Sequence, residues 1–119
     1  MARDYDSRLA SLIDGLTERT SSTGERKLSW SEEPGDIFEL NLRRTTLRVR
    51  SKDRDGAYPY LFEILDDEAR LIERVEVDID SDTFSRVHDL YMAAVRNARN
   101  VDEVVDSLFE ELDIEEPPF

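Results

Sequence analysis

The hydrophobic period changes twice along this chain, and that change sets its fold class. Between Tyr5 and Leu16 the apolar residues Tyr5, Leu9, Leu12, Ile13 and Leu16 recur every three or four positions. That spacing draws one stripe down a helix and predicts a helix over 4–20. From Lys27 to Ile79 the period falls to two. Leu28 and Trp30, then Phe38, Leu40 and Leu42, then Leu47 and Val49, then Tyr60, Phe62 and Ile64, then Val75, Val77 and Ile79 alternate with polar neighbours. After Ser81 the helical period returns as Phe84, Val87, Tyr91, Ala94 and Val95, and again as Val101, Val104, Val105, Leu108, Phe109 and Leu112.

Turn residues punctuate these segments. Thr20–Gly24 ends the first helix, while Pro34–Gly35, Lys52–Gly56 and Asp66–Ala69 separate the strands. Connections this short cannot hold crossover helices, so consecutive strands are antiparallel neighbours in a meander. Ser81 is placed to cap a helix over 82–98. Asn100 followed by Glu103 has the spacing of a capping box for the last helix. The expected architecture is α+β: an N-terminal helix, a four- to five-stranded antiparallel meander sheet, and two C-terminal helices packed on one sheet face. No linker or internal repeat interrupts it, so residues 1–119 read as a single domain with a loose acidic tail at 115–119.

Composition decides whether such a chain folds at all. Twenty-nine acids against 16 bases leave a net charge of −13, yet Leu, Ile, Val and Phe make up 32 of the 119 residues. That apolar share lies above the roughly 20% below which highly charged chains stay disordered. There is no cysteine, which excludes a disulfide framework, a thiolate zinc site and a cysteine nucleophile. No apolar run approaches the ~18 residues of a membrane span and no signal-peptide pattern opens the chain, so the expected location is the cytoplasm and no membrane partner is expected. The acidic balance argues against nucleic acid, which needs a basic footprint.

The charge is unevenly placed. Arg43, Arg44, Arg48, Arg50, Lys52 and Arg54 share residues 43–54 with only Asp53, a local balance of +5, whereas residues 102–119 hold eight acids and no base. The arginine row has two readings. It is a landing strip for an acidic partner or phosphate-bearing ligand, or it pairs across strands with Glu39, Glu63 and Glu76 on the same outer face. Leu61 and Leu65 point to that face too, beside Ile37. Either a helix covers them or they form a small exposed apolar patch. The candidate partner-binding residues are therefore Ile37, Arg44, Arg48, Arg50, Leu61 and Leu65. The last helix reads first as a packed surface helix with a solvated acidic side, and second as a docking element.

Catalytic and metal signals are weak. Asp78, Asp80, Asp82 and Asp89 suggest a calcium loop, but Thr83 occupies the position that needs glycine, and Ser81 and Asp82 read better as a helix start. His88 is the only histidine and has no metal-pairing companion. No nucleophile elbow or glycine-rich phosphate loop is present. The chain is expected to be non-enzymatic, without catalytic residue, cofactor or metal.

The runs Leu9–Thr20, Lys27–Trp30 (K-L-S-W), Tyr58–Asp66 and Leu90–Leu112 together resemble a group of small standalone bacterial proteins without assigned activity. These show a helix, a K-L-x-W strand, a meander and a closing helix pair. The resemblance implies that element order and assigns no functional residue. The chain departs from the pattern by Ser-Ser-Thr before Gly24 and by Asn97 and Asn100, positions read as affecting loops and caps. The function expected from all this is a protein–protein interaction or regulatory accessory module, acting on a protein partner or by self-association. Alternatives are an antitoxin, immunity or defence-associated partner with an acidic surface, and a binder of a small anionic ligand.

Overall fold

A computed structural model describes residues 2–22 and 27–115. The expected turn at 23–24 and most of the expected loose tail lie outside the described residues. Helix α1 (Ala2–Ser21) leads into strands β1 (Ser31–Glu33), β2 (Ile37–Asn41), β3 (Thr45–Ser51), β4 (Tyr60–Asp66) and β5 (Leu71–Val77), followed by helices α2 (Phe84–Ala98) and α3 (Val101–Leu112). The strands form one antiparallel sheet in the order β1-β2-β3-β4-β5, the meander that the short turns require. No described helix is long and apolar enough to cross a membrane.

The core lies between the inner face of this sheet and the helices. Phe38, Leu40, Leu47, Val49, Tyr60, Phe62 and Val77 meet Ile13 and Leu16 of α1 and Val87, Leu90, Tyr91 and Ala94 of α2. Period two puts alternate strand residues on this face, and period 3.6 puts the helical stripes against it. Aromatic rings organise one side of the core: Tyr91 stands edge-on to Phe38 at 5.7 Å and lies 4.8 Å from Tyr60, while Phe84 stacks on His88 at 5.5 Å. His88 thus closes the aromatic cluster as a ring. Burial first, and then the nearby Asp36 charge, push the Tyr91 hydroxyl up to about 12.

Several local expectations shift by a residue or two. The Leu28–Trp30 alternation precedes β1 and does not form it. The Trp30 N–H donates to Asn97 Oδ1 at 2.8 Å, so it is taken by a side chain and not by a strand neighbour. Ser81 does not cap α2: its Oγ accepts from the Asp78 N–H at 3.0 Å in the preceding turn, and Thr83 holds the N-cap position. The Asn100–Glu103 capping box does not form either. Asn100 is left-handed (φ 52°, ψ 44°) and makes no side-chain cap bond. β5 ends at Val77, leaving Ile79 exposed, and a register irregularity at Ile64/Leu65 accommodates the extra residue Ile72.

Of the two C-terminal helices, α2 does the packing. The left-handed Asn100 ends the helical run after α2, and none of the residues of α3 beyond it is buried. Gly15 sits inside α1 with nothing within 4 Å of where a side-chain carbon would go. Gly15→Ala is therefore expected to raise stability by about 0.5–1 kcal/mol through lower unfolded-state entropy. Urea titration of the two proteins measures it.

Candidate interaction surfaces

Two surfaces emerge from the fold, the outer face of the sheet and the helix α3. On the first, strand register lines up Glu39, Arg48, Glu63 and Arg74 in one row across β2, β3, β4 and β5. Signs alternate along it. Arg48 Nε donates to Glu39 Oε2 at 2.9 Å and its Nη1 reaches Glu63 Oε1 at 3.5 Å. Arg50 Nε donates to Glu63 Oε1 at 3.1 Å, and Arg74 Nε to Glu63 Oε2 at 2.7 Å. Three guanidinium groups thus converge on one carboxylate that is 0% exposed. Burial raises the Glu63 pKa, but the hydrogen bonds and charges of Arg50 and Arg74 outweigh it and hold the carboxyl below its ordinary value.

Arg48 and Arg50 of the arginine row are therefore engaged in cross-strand pairing, the second of its two readings. Lys52 extends the pattern by pairing with Glu76 at 3.1 Å. Leu61 and Leu65 are neither exposed nor covered by a helix packed on them. They are 3% and 5% exposed and stand outside the core cluster. In the register Leu61 lies between Arg50 and Glu76, whose long side chains flank it, and Leu65 lies between Thr46 and Leu71. Ile37 is half-buried in the same face, opposite Arg50.

Arg44 stands apart from this group. With Arg43 it is exposed at the turn between β2 and β3, on a cleft of about 270 Å³ whose far wall holds Asp66 and Asp67. Asp66 is drawn below its ordinary pKa by the Arg70 backbone N–H first, and Arg70 also bonds it from the side chain at 2.9 Å. Acids and bases thus share the cleft walls, which is poor selection for an anion.

The second surface has the opposite character. Val104, Val105, Leu108, Leu112 and the following Ile114 are 41–63% exposed. They lie on or just past a helix whose charged residues are Asp102, Glu103, Asp106, Glu110 and Glu111. Among the described residues an exposed ion pair, Arg96 to Asp102 at 3.1 Å, ties the charge of α3 to α2, and exposed pairs contribute only about 0–1 kcal/mol. Val101 and Phe109 of the stripe are partly buried, whereas Val104, Val105, Leu108 and Leu112 stay exposed. Contiguous apolar surface on a regular helix marks a contact site.

One structural residue escaped the pattern of apolar positions. Asn97 Oδ1 accepts from the Trp30 N–H, while Nδ2 donates to Leu28 O at 2.8 Å and Thr20 O at 3.3 Å. Trp30 Nε1 adds a bond to Thr20 Oγ1 at 2.9 Å. This polar side chain clips α2 to the end of α1 and to the entry of β1. Its only sequence signal is an Asn placed where an apolar stripe runs nearby. Among the described residues no group of three or more His, Asp or Glu is arranged to hold a metal ion. No family model, no curated protein and no solved structure matches this chain.

Proposed function

We propose that this protein is a non-catalytic interaction module that docks through α3. The observation behind this reading is that the cleanest apolar stripe in the chain lies on a helix with no buried residue. A helix laid by its apolar face into a groove is a recurrent mode of protein recognition. The acids flanking the stripe select a groove with an apolar floor and a lysine- or arginine-bearing rim. They also disfavour pairing of α3 with its own copy, which would oppose acid to acid.

The outer sheet face, with Ile37, Arg48, Arg50, Leu61 and Leu65, contributes less to this role because its charges already hold one another. The test is the double variant V105Q/L108Q. Its thermal stability is expected to stay within about 0.5 kcal/mol of the parent, as for an exposed site. A protein recovered with the parent from its native cells, and cross-linked to a photoreactive group at position 112, which is 63% exposed on the same stripe, should be lost with the variant. A stability loss above about 2 kcal/mol would mean the stripe is packed. Unchanged recovery of the cross-linked protein would place the contact elsewhere.

A further inference from the structure

Strand β5 is an edge of the sheet: it pairs with β4 on one side, and no described strand pairs with the other. The opposite edge, β1, is only three residues long and is backed by Arg99 of the α2 end, which grips Glu32 with two bonds of 2.9 and 3.0 Å. β5 is seven residues long and contains no proline. Beside it runs an open cleft of about 560 Å³, floored by Glu73–Glu76 and walled by Leu9, Ala10 and Ile13 of α1, with Asp82 and Thr83 at one end. An edge of this length with no described strand on its free side is a template for another strand.

Charge along β5 selects the strand. In a two-fold antiparallel pair, one residue lies opposite its own copy, and its neighbours follow in order. Centring on Glu73, Arg74 or Glu76 opposes like charges at the axis, which is unfavourable. Centring on Val75 opposes two valines and places Arg74 of each copy opposite Glu76 of the other. That register also lengthens the alternating row Glu39, Arg48, Glu63, Arg74 by a further glutamate. Both groups have room to take part. Arg74 uses Nε on Glu63, Glu76 uses Oε2 on Lys52, and their side chains are about half exposed.

We propose that two copies of this chain join through β5 about a two-fold axis at Val75, making one ten-stranded antiparallel sheet. The proposal is independent of the α3 reading, and the experiment separates them. The chain has no cysteine, so Ile72→Cys at an exposed position takes a single nitroxide label. Sedimentation equilibrium should show a dimer. Pulsed electron resonance should give a 72-to-72 backbone separation of about 20 Å, from three residues on each side of the axis at ~3.3 Å each.

Glu76→Arg, checked for native circular dichroism, should weaken the dimer about tenfold or more by setting arginine against arginine. V105Q/L108Q should leave it intact. A monomer at every concentration up to the solubility limit would overturn the proposal. So would a separation of about 14 Å, the Arg74-centred register, or a dimer that survives Glu76→Arg. A dimer lost in V105Q/L108Q would also overturn it, by moving the interface to α3.

Discussion

Glu63→Gln is expected to lower stability by about 2–3 kcal/mol at pH 7 and to flatten the fall of stability in acid. The carboxylate is buried and accepts from Arg48, Arg50 and Arg74. Removing one partner of a buried charge cluster costs up to ~3–5 kcal/mol. Here the three arginines keep partial access to water, with side chains 22–49% exposed, so the expected loss lies at or below the bottom of that range. The pH dependence follows from the sign of the shift. The folded pKa lies below the ordinary 4.5, so the stabilisation is fully present above the unfolded value and is lost as pH falls through the folded one. Glu32, Asp55 and Asp66 are also lowered, chiefly by the Arg99 side chain, the Ala57 N–H and the Arg70 N–H respectively. Glu63→Gln therefore reduces the acid sensitivity without abolishing it. Urea titrations of both proteins at pH 7 and in the acid limb measure both effects. Equal slopes against pH would show that Glu63 is not the group responsible.

Asn97→Ala is expected to cost about 2–4 kcal/mol, although the position is partly exposed. It orphans the Trp30 N–H and leaves the carbonyls of Leu28 and Thr20 without their donor. Each buried backbone group left unsatisfied costs ~1–3 kcal/mol. Asn97→Asp keeps the acceptor for Trp30 but turns the donor into an oxygen facing two carbonyls, so it is not expected to rescue. Trp30 is the sole tryptophan, and its ring is anchored by the same cluster. Its fluorescence and near-ultraviolet circular dichroism report the change directly, beside the melting temperature. Asn97→Asp as stable as the parent would assign the clip to shape and not to hydrogen bonding.

The architecture was legible in the sequence because it rests on periodicity. Strands β2 to β5, their order and the three helices follow from where the apolar residues recur, whereas β1, Ser-Glu-Glu, carries no apolar residue and lies just past the Leu28–Trp30 alternation. Pairing of Arg48 and Arg50 with Glu39 and Glu63 was likewise legible, since alternation places all four side chains on one face. Alternation alone could not say how deeply that face is buried. Leu61, Glu63 and Leu65 read as outward-facing, and they do alternate away from the core cluster, yet all three are buried. Caps failed for a different reason. Ser81 and Asn100 are good capping residues, yet Ser81 serves the turn before α2 and Asn100 takes a left-handed backbone. Local preference is silent on which of two local uses tertiary structure selects. The exposure of α3 was illegible for the same cause, because a stripe specifies that it needs a cover and not whose cover it is.

The meander divides the work of assembly unequally. Every strand meets the one next to it in the chain, so each hairpin closes a short loop at small entropic cost. Bringing α1 onto α2 joins groups 72 and 77 residues apart, Asp14 with Arg86 and Thr20 with Asn97. Loop-closure cost grows only with the logarithm of length, but this contact closes a far longer loop than any hairpin of the meander. The sheet can zip locally, whereas the two ends of the chain must search for each other. The polar clasp at Asn97 is where that search is rewarded.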